Sequence, residues 1–408
     1  MTDPTYKTTD ICIIGSGIVG LSLAYQLFKH QPGLSISIID KESKIGCHSS
    51  GRNSGVLHAG IYYDPNSIKA KVSVAGAKRL KEWCEQEDLP VLKCGKVITP
   101  QRVELDSQLD VLFERGKMNG ATVELIDEKQ FHELVPDGRT ASGRALWSPD
   151  TCVVKPILVI QKLRERLLQQ GVEFIFSEEK WKAFPDKKCI VLSNGSKLSY
   201  GHLYNCAGLQ ADRIAHKYGV GKSYTILPFR GNYWQLKEGA PFNFETNLYP
   251  VPDLEIPFLG VHATPSVDGA VYFGPTATPA LGRENYRGMD KLEVGMALRF
   301  LHHMIHQFAR DKIIRRYANE QAFQWLPQNF LKATQAIVPK LQLDHIKFSD
   351  KVGIRPQLYD KKNYQLVQDF LTLEGPSSTH IINAISPAFT ASFAFADFIL
   401  GKNPEGVS

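Results

Sequence analysis

DICIIGSGIVGLSLAYQLFKHQPGLSISIID, from Asp10 to Asp40, decides how the chain folds. Ile11, Ile13 and Ile14 make a short apolar strand, and Gly15, Gly17 and Gly20 follow at G-x-G-x-x-G spacing. A helix is expected from Ile18 to His30, then a second strand, Ile36 to Ile39, ending on Asp40. This is the outline of a dinucleotide site. The first glycine permits a tight turn, the second lets backbone approach a pyrophosphate, and the third lets the helix pack close on the strand. Free N–H groups at the helix start favour phosphate, and an acid twenty residues after Gly20 can accept hydrogen bonds from a ribose diol. Expected cofactor contacts here are Gly15, Ser16, Gly17, Ile18, Gly20, Asp40 and Lys41.

Composition narrows the class. At 408 residues the chain exceeds what one core usually serves, so two domains are expected. Hydrophobic residues at 43% and charged residues at 22% describe an ordinary globular protein. A net charge of +6 suits anionic substrates or an acidic surface, but no basic-aromatic tract points to nucleic acid. Seven scattered cysteines without a C-x-x-C pair read as reduced thiols in the cytoplasm. The N-terminus lacks the apolar core of a secretion signal, and no run is long enough to span a bilayer. Contact with a membrane is therefore expected to be peripheral, at its inner face.

Past Asp40, the segment Ser49 to Tyr63 is rich in small residues that let backbone approach a ligand, and Ser50, Arg52, Asn53 and Ser54 join the expected cofactor contacts. His58 there is either a backbone-bonded loop histidine or a proton-transfer group. A helix is expected over Ala70 to Gln86, a strand over Gly95 to Ile98, and helices over Val103 to Asn119 and Asp127 to Leu134. Pro156 to Gln170 reads as a helix, Val172 to Phe176 as a strand, and Asn194-Gly195 as a hairpin turn between Cys189–Leu192 and Lys197-Leu198. The apolar strand Leu203 to Gly208 ends in small residues. With Ala207 and Gly208 it supplies a second close backbone approach, which a long ligand such as FAD needs. A helix is expected next, over Ala211 to Tyr218.

Between Leu227 and Gly274 the pattern alternates as in an antiparallel sheet. Asp290 to Ala309 reads as an amphipathic helix carrying His302, His303 and His306. His302 and His306 stand at i, i+4 but without an H-E-x-x-H acid, so no metal site is expected. Arg310, Lys312, Arg315 and Arg316 read better as a solvated charged face than as a lipid contact. Trp325 to Leu343 reads as a further helix or two. Val352 to Gln357 leads through a linker to Leu366 to Phe370, then a strand over His380 to Ile385. The last helix, Ala388 to Leu400, is expected to open on Ser386-Pro387, and its N-terminus would face an anionic or electron-rich ligand.

The glycine motif with Asp40, the strand Tyr204 to Gly208, and G-I-R-P at Gly353 to Pro356 with the strand and helix after it resemble the D-amino-acid-oxidase-type FAD oxidoreductases over the whole chain. Within that superfamily, SGRNSGVLHAGIYY (Ser50 to Tyr63), SIKAK (Ser67 to Lys71), NCAGLQADRIA (Asn205 to Ala215), PFRGNY (Pro228 to Tyr233) and YPVPDLEIPFLGVHATPSVDGAVYFGP (Tyr249 to Pro275) are similar to the L-2-hydroxyglutarate dehydrogenase/oxidase family. Two departures stand out: Asp40 where Glu is common, and ISPAFTAS (Ile385 to Ser392) in place of a Gly-His-Gly type. The resemblance implies an α/β, two-domain chain. A Rossmann-like FAD domain with a central parallel sheet (1–90, 150–225, 345–408) would be joined to a mostly antiparallel substrate domain (91–149, 226–344).

The implied reaction is oxidation of L-2-hydroxyglutarate to 2-oxoglutarate by hydride transfer to N5 of noncovalent FAD, with oxygen or a quinone as final acceptor. A dianionic substrate calls for two cations. The resemblance puts a carboxylate-binding arginine at Arg355, and Lys69, with Arg230 behind it, is expected for the second carboxylate. The hydroxyl proton calls for a base titrating near neutrality. His262 is expected to be that base and His58 a flavin-side polariser, with the order left open. Tyr62 or Tyr249 would hydrogen-bond the substrate, and Gly353, Ser386 and Pro387 would face the flavin. Amine oxidation of glycine or sarcosine, and glycerol-3-phosphate oxidation, would reuse every FAD feature. An NAD(P)-dependent dehydrogenase and a non-enzymatic or RNA-modifying flavoprotein remain as further classes.

Overall fold

A computed structural model of the chain describes residues 5–252, 254, 259–310, 312, 315 and 323–403. The chain divides into two compact units, residues 1–53, 156–227 and 356–408 in the first, and 54–155 and 228–355 in the second. By this division residues 226–227, expected in the substrate domain, fall in the first unit, and 54–90, 150–155 and 345–355, expected in the FAD domain, fall in the second. Their short strands and the helix Ile68–Gln86 pack with that unit's sheets, which outweighs the local character of the sequence.

In the first unit, β1 (Tyr6–Ile14), α1 (Ile18–His30) and β2 (Ile36–Ile39) form the expected βαβ unit. Five parallel strands lie in the order Glu173–Ile175, β2, β1, Lys197–Asn205, Ser378–Asn383. The order reverses at β1, so the ends of β1 and Lys197–Asn205 lie side by side, with Ile14 opposite Asn205. Such a reversal is where open α/β sheets bind ligands.

The hairpin turns at Asn194-Gly195 as its residues require, with Gly195 at φ +85°. Its second strand, however, continues unbroken to Asn205: residues 197–199 pair with Cys189–Val191, and residues 203–205 with Ser378–His380. The last helix also departs from expectation, spanning Ser392–Ile399. Ser386 and Pro387 sit in a turn closed by Ala388 N–H on the Ile385 carbonyl, because a residue before proline is biased away from helical backbone.

In the second unit the sheet runs Ile346–Asp360, Tyr224–Leu236, Val271–Gly274, His262–Pro265, Asn247–Pro250, Lys96–Thr99, Arg144–Ser148, Glu124–Asp127. From Tyr224–Leu236 onward neighbouring strands of this path pair antiparallel, except Asn247–Pro250 and Lys96–Thr99, which run parallel to each other. Two of the four points where the chain changes unit fall inside the strands Tyr224–Leu236 and Ile346–Asp360, and the fifteen-residue strand Ile346–Asp360 takes in the segment read only as Val352 to Gln357 and a linker. The pleat sorts the residues by parity. Val97, Leu248, Ala263 and Phe273 share one face and pack with Phe330, Ile337 and Val338 in an apolar core, where Trp234 stacks on Phe330 at 5.5 Å. Their neighbours Lys96, Tyr249, His262, Thr264 and Tyr272 point the other way.

Helix and strand meet closely at the glycine turn. A Cβ on Gly20 would lie 2.1 Å from the Gly15 carbonyl oxygen, and Gly15 itself holds φ +106°. Gly20→Ala should therefore cost about 1–3 kcal/mol by forcing α1 off β1, read as a lower Tm; an unchanged Tm would contradict this packing.

Candidate active site and cofactor cradle

In the first unit, three segments build the cradle around the end of β1. Asp40 Oδ2 accepts from the N–H (2.7 Å) and hydroxyl (2.6 Å) of Ser16, so the acid closing β2 holds the glycine loop in place. Its Oδ1 accepts from Glu42 N–H at 2.9 Å, and Lys41 pairs with Glu42. Ser50 Oγ accepts from Ile18 N–H at 2.9 Å, while Asn53 donates to the carbonyls of Ser49 and Ser50 and Arg52 Nε to that of Cys47. Asn205 is buried; its amide nitrogen donates to the Ala211 carbonyl at 2.8 Å and to His380 Nδ1 at 3.1 Å. Its amide oxygen accepts from Ala207 N–H, which fixes the loop leading to Gly208 at φ +51°.

These residues fit a dinucleotide. Ser50 Oγ takes the Ile18 N–H, and no acid stands in the first turn of α1, so the rest of the positive helix end stays available to phosphate. A Cβ on Gly15 would lie 2.6 Å from the Cys206 carbonyl oxygen, so the two backbone segments meet as closely as a cradle needs. Ser386 and Pro387 occupy the turn before the last helix rather than its N-terminus. Ser54 and Gly353, also expected with the cofactor, fall in the second unit.

In the second unit, the polar face of the sheet brings four expected residues together. Leu248 pairs with Ala263, which sets Tyr249 beside His262; their rings stack 3.8 Å apart at 18°. Across the next strand His262 faces Gly274. His262 Nδ1 lies 2.9 Å from the Gly260 carbonyl, which can only accept, so Nδ1 carries the hydrogen and the neutral ring keeps its lone pair on Nε2. His58, half-buried, lies near enough to His262 for their charges to interact. Tyr62 is buried as well, and burial pushes its hydroxyl and that of Tyr249 well above the usual tyrosine value, so both are donors at neutral pH. Lys69, in the first turn of Ile68–Gln86, lies 5.7 Å over the Tyr63 ring. Arg230 is half-buried, its Nε unpartnered among the described residues and its pKa lowered by burial. Arg355 is half-buried in Ile346–Asp360.

A base titrating near neutrality was expected at a histidine, and neither histidine is one. Burial, then Lys96 and His262, push His58 down to about 3. Burial, opposed by the Gly260 carbonyl and helped by Lys96, pushes His262 down to about 4. The residue missed by sequence reasoning is Lys96. Its Nζ lies 4.7 Å from the Tyr62 ring centroid and 5.5 Å from that of Tyr249, and burial pushes its pKa down to about 7. A signal existed: in G-K-V-I-T the lysine shares a strand face with Ile98, where a solvated charge has no place.

Residues 10–399 match the family model described as FAD dependent oxidoreductase. The chain belongs to the FAD dependent oxidoreductase family. Full-length relatives of this family member include "L-2-hydroxyglutarate dehydrogenase, mitochondrial" of Caenorhabditis elegans, 36% identical over 96% of this chain and 92% of the relative. The human protein of the same description is 33% identical over 96% and 87%. A bacterial L-2-hydroxyglutarate dehydrogenase, from Escherichia coli O17:K52:H18, is 31% identical over 96% and 92%. Among solved structures, the fold is similar to dithionite-reduced L-alpha-glycerophosphate oxidase from Mycoplasma pneumoniae with FAD bound, at TM-score 0.74 and 21% identity over 97% of this chain and 94% of that one. It is also similar to glycine oxidase from Geobacillus kaustophilus, at TM-score 0.70 and 16% identity over 97% and 95%. At those identities the likeness concerns the fold.

A depressed lysine pKa is a stability statement. The folded value of about 7 lies below the ordinary 10.5, so the cost of the buried group is full below pH 7 and disappears as pH rises toward 10.5. Lys96→Met should therefore raise Tm at neutral pH, and its advantage should shrink by about 1.4 kcal/mol per pH unit above that point. A variant less stable than wild type at pH 7 would contradict an uncompensated ammonium.

Proposed function

We propose that the chain oxidises L-2-hydroxyglutarate to 2-oxoglutarate with noncovalently bound FAD. The observation that carries this reading is the His262–Tyr249 pair: a buried imidazole with Nδ1 committed to a carbonyl and Nε2 free to take a proton, stacked on a tyrosine that remains a donor. Oxidising a secondary alcohol requires removing the hydroxyl proton as the carbon gives up its hydrogen. His262 takes that proton at Nε2, and the Gly260 carbonyl favours the resulting cation. His58, held neutral, serves as a polariser on the flavin side. Arg355 grips the carboxylate next to the alcohol in bidentate fashion, and Tyr62 and Tyr249 donate to the substrate. Lys69 and Arg230 add positive potential for a dianion.

FAD, when bound, supplies the hydride acceptor. Ser16, Gly17, Ile18 and Gly20 with Asp40 would hold its ADP half, and Lys41, Ser50, Arg52, Asn53, Ala207, Gly208, Ser386 and Pro387, all of the first unit, would line the rest.

Electrons leave to oxygen or a membrane quinone. Peripheral membrane contact is supported by the helix Val294–Arg310, which buries Met296, Phe300 and Gln307 yet turns Val294, Leu298, Leu301, Ile305 and Phe308 outward, each 40–63% exposed. Arg299 on the same helix is exposed, as is Lys312, which follows it in sequence; Arg316, noted from the sequence, lies outside the described residues. No helix among the described residues is long and apolar enough to cross a membrane. An outward apolar stripe with basic neighbours suits a lipid surface. Leu298→Glu with Ile305→Glu should abolish sedimentation with anionic vesicles while dye-linked turnover persists; undiminished sedimentation would remove this contact.

For the reaction itself, the purified yellow protein should convert L-2-hydroxyglutarate into an equal amount of 2-oxoglutarate with an artificial dye acceptor. Glycine, sarcosine and glycerol-3-phosphate should give no comparable turnover, and preference for any of them would overturn the assignment. Arg355→Gln should retain flavin and raise KM by roughly 30-fold or more, the scale expected for losing one partner of a charged pair.

A further inference from the structure

Lys96 stands on an interior strand of the second unit's sheet, and its side chain is fully buried. Its Nζ has no hydrogen-bond partner, and among the described residues no carboxylate pairs with it. The faces of Tyr62 and Tyr249 stabilise an ammonium in part, but an aromatic face does not replace a counter-ion. The Tyr62 hydroxyl is also buried without a partner. Two buried donors without partners, the Nζ lying 4.7 Å from the centroid of the ring that carries the hydroxyl, suit an anion that arrives from outside.

We propose that Lys96 is the cation that receives the substrate's distal carboxylate, with the Tyr62 hydroxyl as a second donor. This rests on the reading of the substrate as L-2-hydroxyglutarate. Strand order supports the assignment: His262–Pro265 stands two places from Lys96–Thr99 and, in the other direction, three places from Ile346–Asp360, which carries Arg355. A dicarboxylate with its alcohol at His262 can thus direct one carboxylate to each side. It also accounts for the crowding of basic groups. Two neutral histidines next to an ammonium cannot readily gain a proton, since His58 and His262 both feel Lys96. A carboxylate on Lys96 cancels that repulsion as His262 takes the hydroxyl proton, so binding the correct substrate prepares the base. Lys96 accordingly discriminates dicarboxylates from monocarboxylates of equal length.

The test uses the FAD-loaded protein and two anions that cannot be oxidised at an alcohol, glutarate and pentanoate, titrated against the flavin absorbance. Lys96→Gln should weaken glutarate binding by at least about 30-fold and change pentanoate binding by less than about threefold, while Lys96→Arg keeps most of the glutarate affinity. The groups facing Lys96 are His58, His262, Tyr62 and Tyr249; above pH 5 the histidines are neutral, and the tyrosines stay protonated. Wild-type glutarate affinity should therefore fall about tenfold per pH unit above neutrality, and the glutamine variant should lack that slope. Unchanged glutarate affinity in Lys96→Gln, equal losses for both anions, or no glutarate binding to wild type would each overturn the proposal. Failure of L-2-hydroxyglutarate to reduce the wild-type flavin would instead remove the substrate reading.

Discussion

A lysine buried without a counter-charge is among the costlier things a fold can hold, and the second unit holds one at Lys96, whose pKa burial pushes down to about 7. The pleat of the sheet makes this possible. Alternate residues of Lys96–Thr99, Asn247–Pro250, His262–Pro265 and Val271–Gly274 supply an apolar core on one face, which leaves the other face to carry Lys96, Tyr249 and His262. Stability and chemistry are thus divided by parity along the same four strands. A one-residue slip in any of them would exchange core for site.

The first unit solves a different problem by similar means. Gly15, Gly20 and the Cys206 carbonyl meet where strand order reverses, and Asp40 and Ser50 fix the loop by bonds to backbone N–H groups. The cradle is therefore made of backbone, with side chains as its ties. That is the arrangement expected for holding a long cofactor whose reactive end is served by other residues.

Much of this was legible from residues alone. The boundaries of α1, the hairpin at Asn194-Gly195 and the helix expected from Ala70 to Gln86, which begins two residues earlier at Ile68, follow from glycine placement and apolar spacing, all of them local signals. Non-local effects were not legible. Ile346–Asp360 is a strand because neighbours from distant sequence pair with it, and the last helix waits until Ser392 because the chain turns through Ser386-Pro387 first. His58 and His262 were recognisable as candidates, but their depressed pKa values depend on burial and on Lys96, which no spacing reveals. Lys96 went unnoticed because a lysine in a short strand reads as an exposed charge unless its face is compared with that of Ile98. The outward stripe Leu298–Leu301–Ile305 was missed for the opposite reason: an apolar face is ordinarily taken to point inward.

The assignment of His262 as the base is tested most directly by anaerobic rapid mixing of wild type and His262→Gln with L- and then D-2-hydroxyglutarate, following flavin absorbance. Wild-type flavin should bleach with the L-isomer and not the D-isomer, and the variant, still yellow, should bleach about 10²–10⁴-fold more slowly. A glutamine variant that bleaches at the wild-type rate, or a wild type indifferent to the L-isomer, would contradict it.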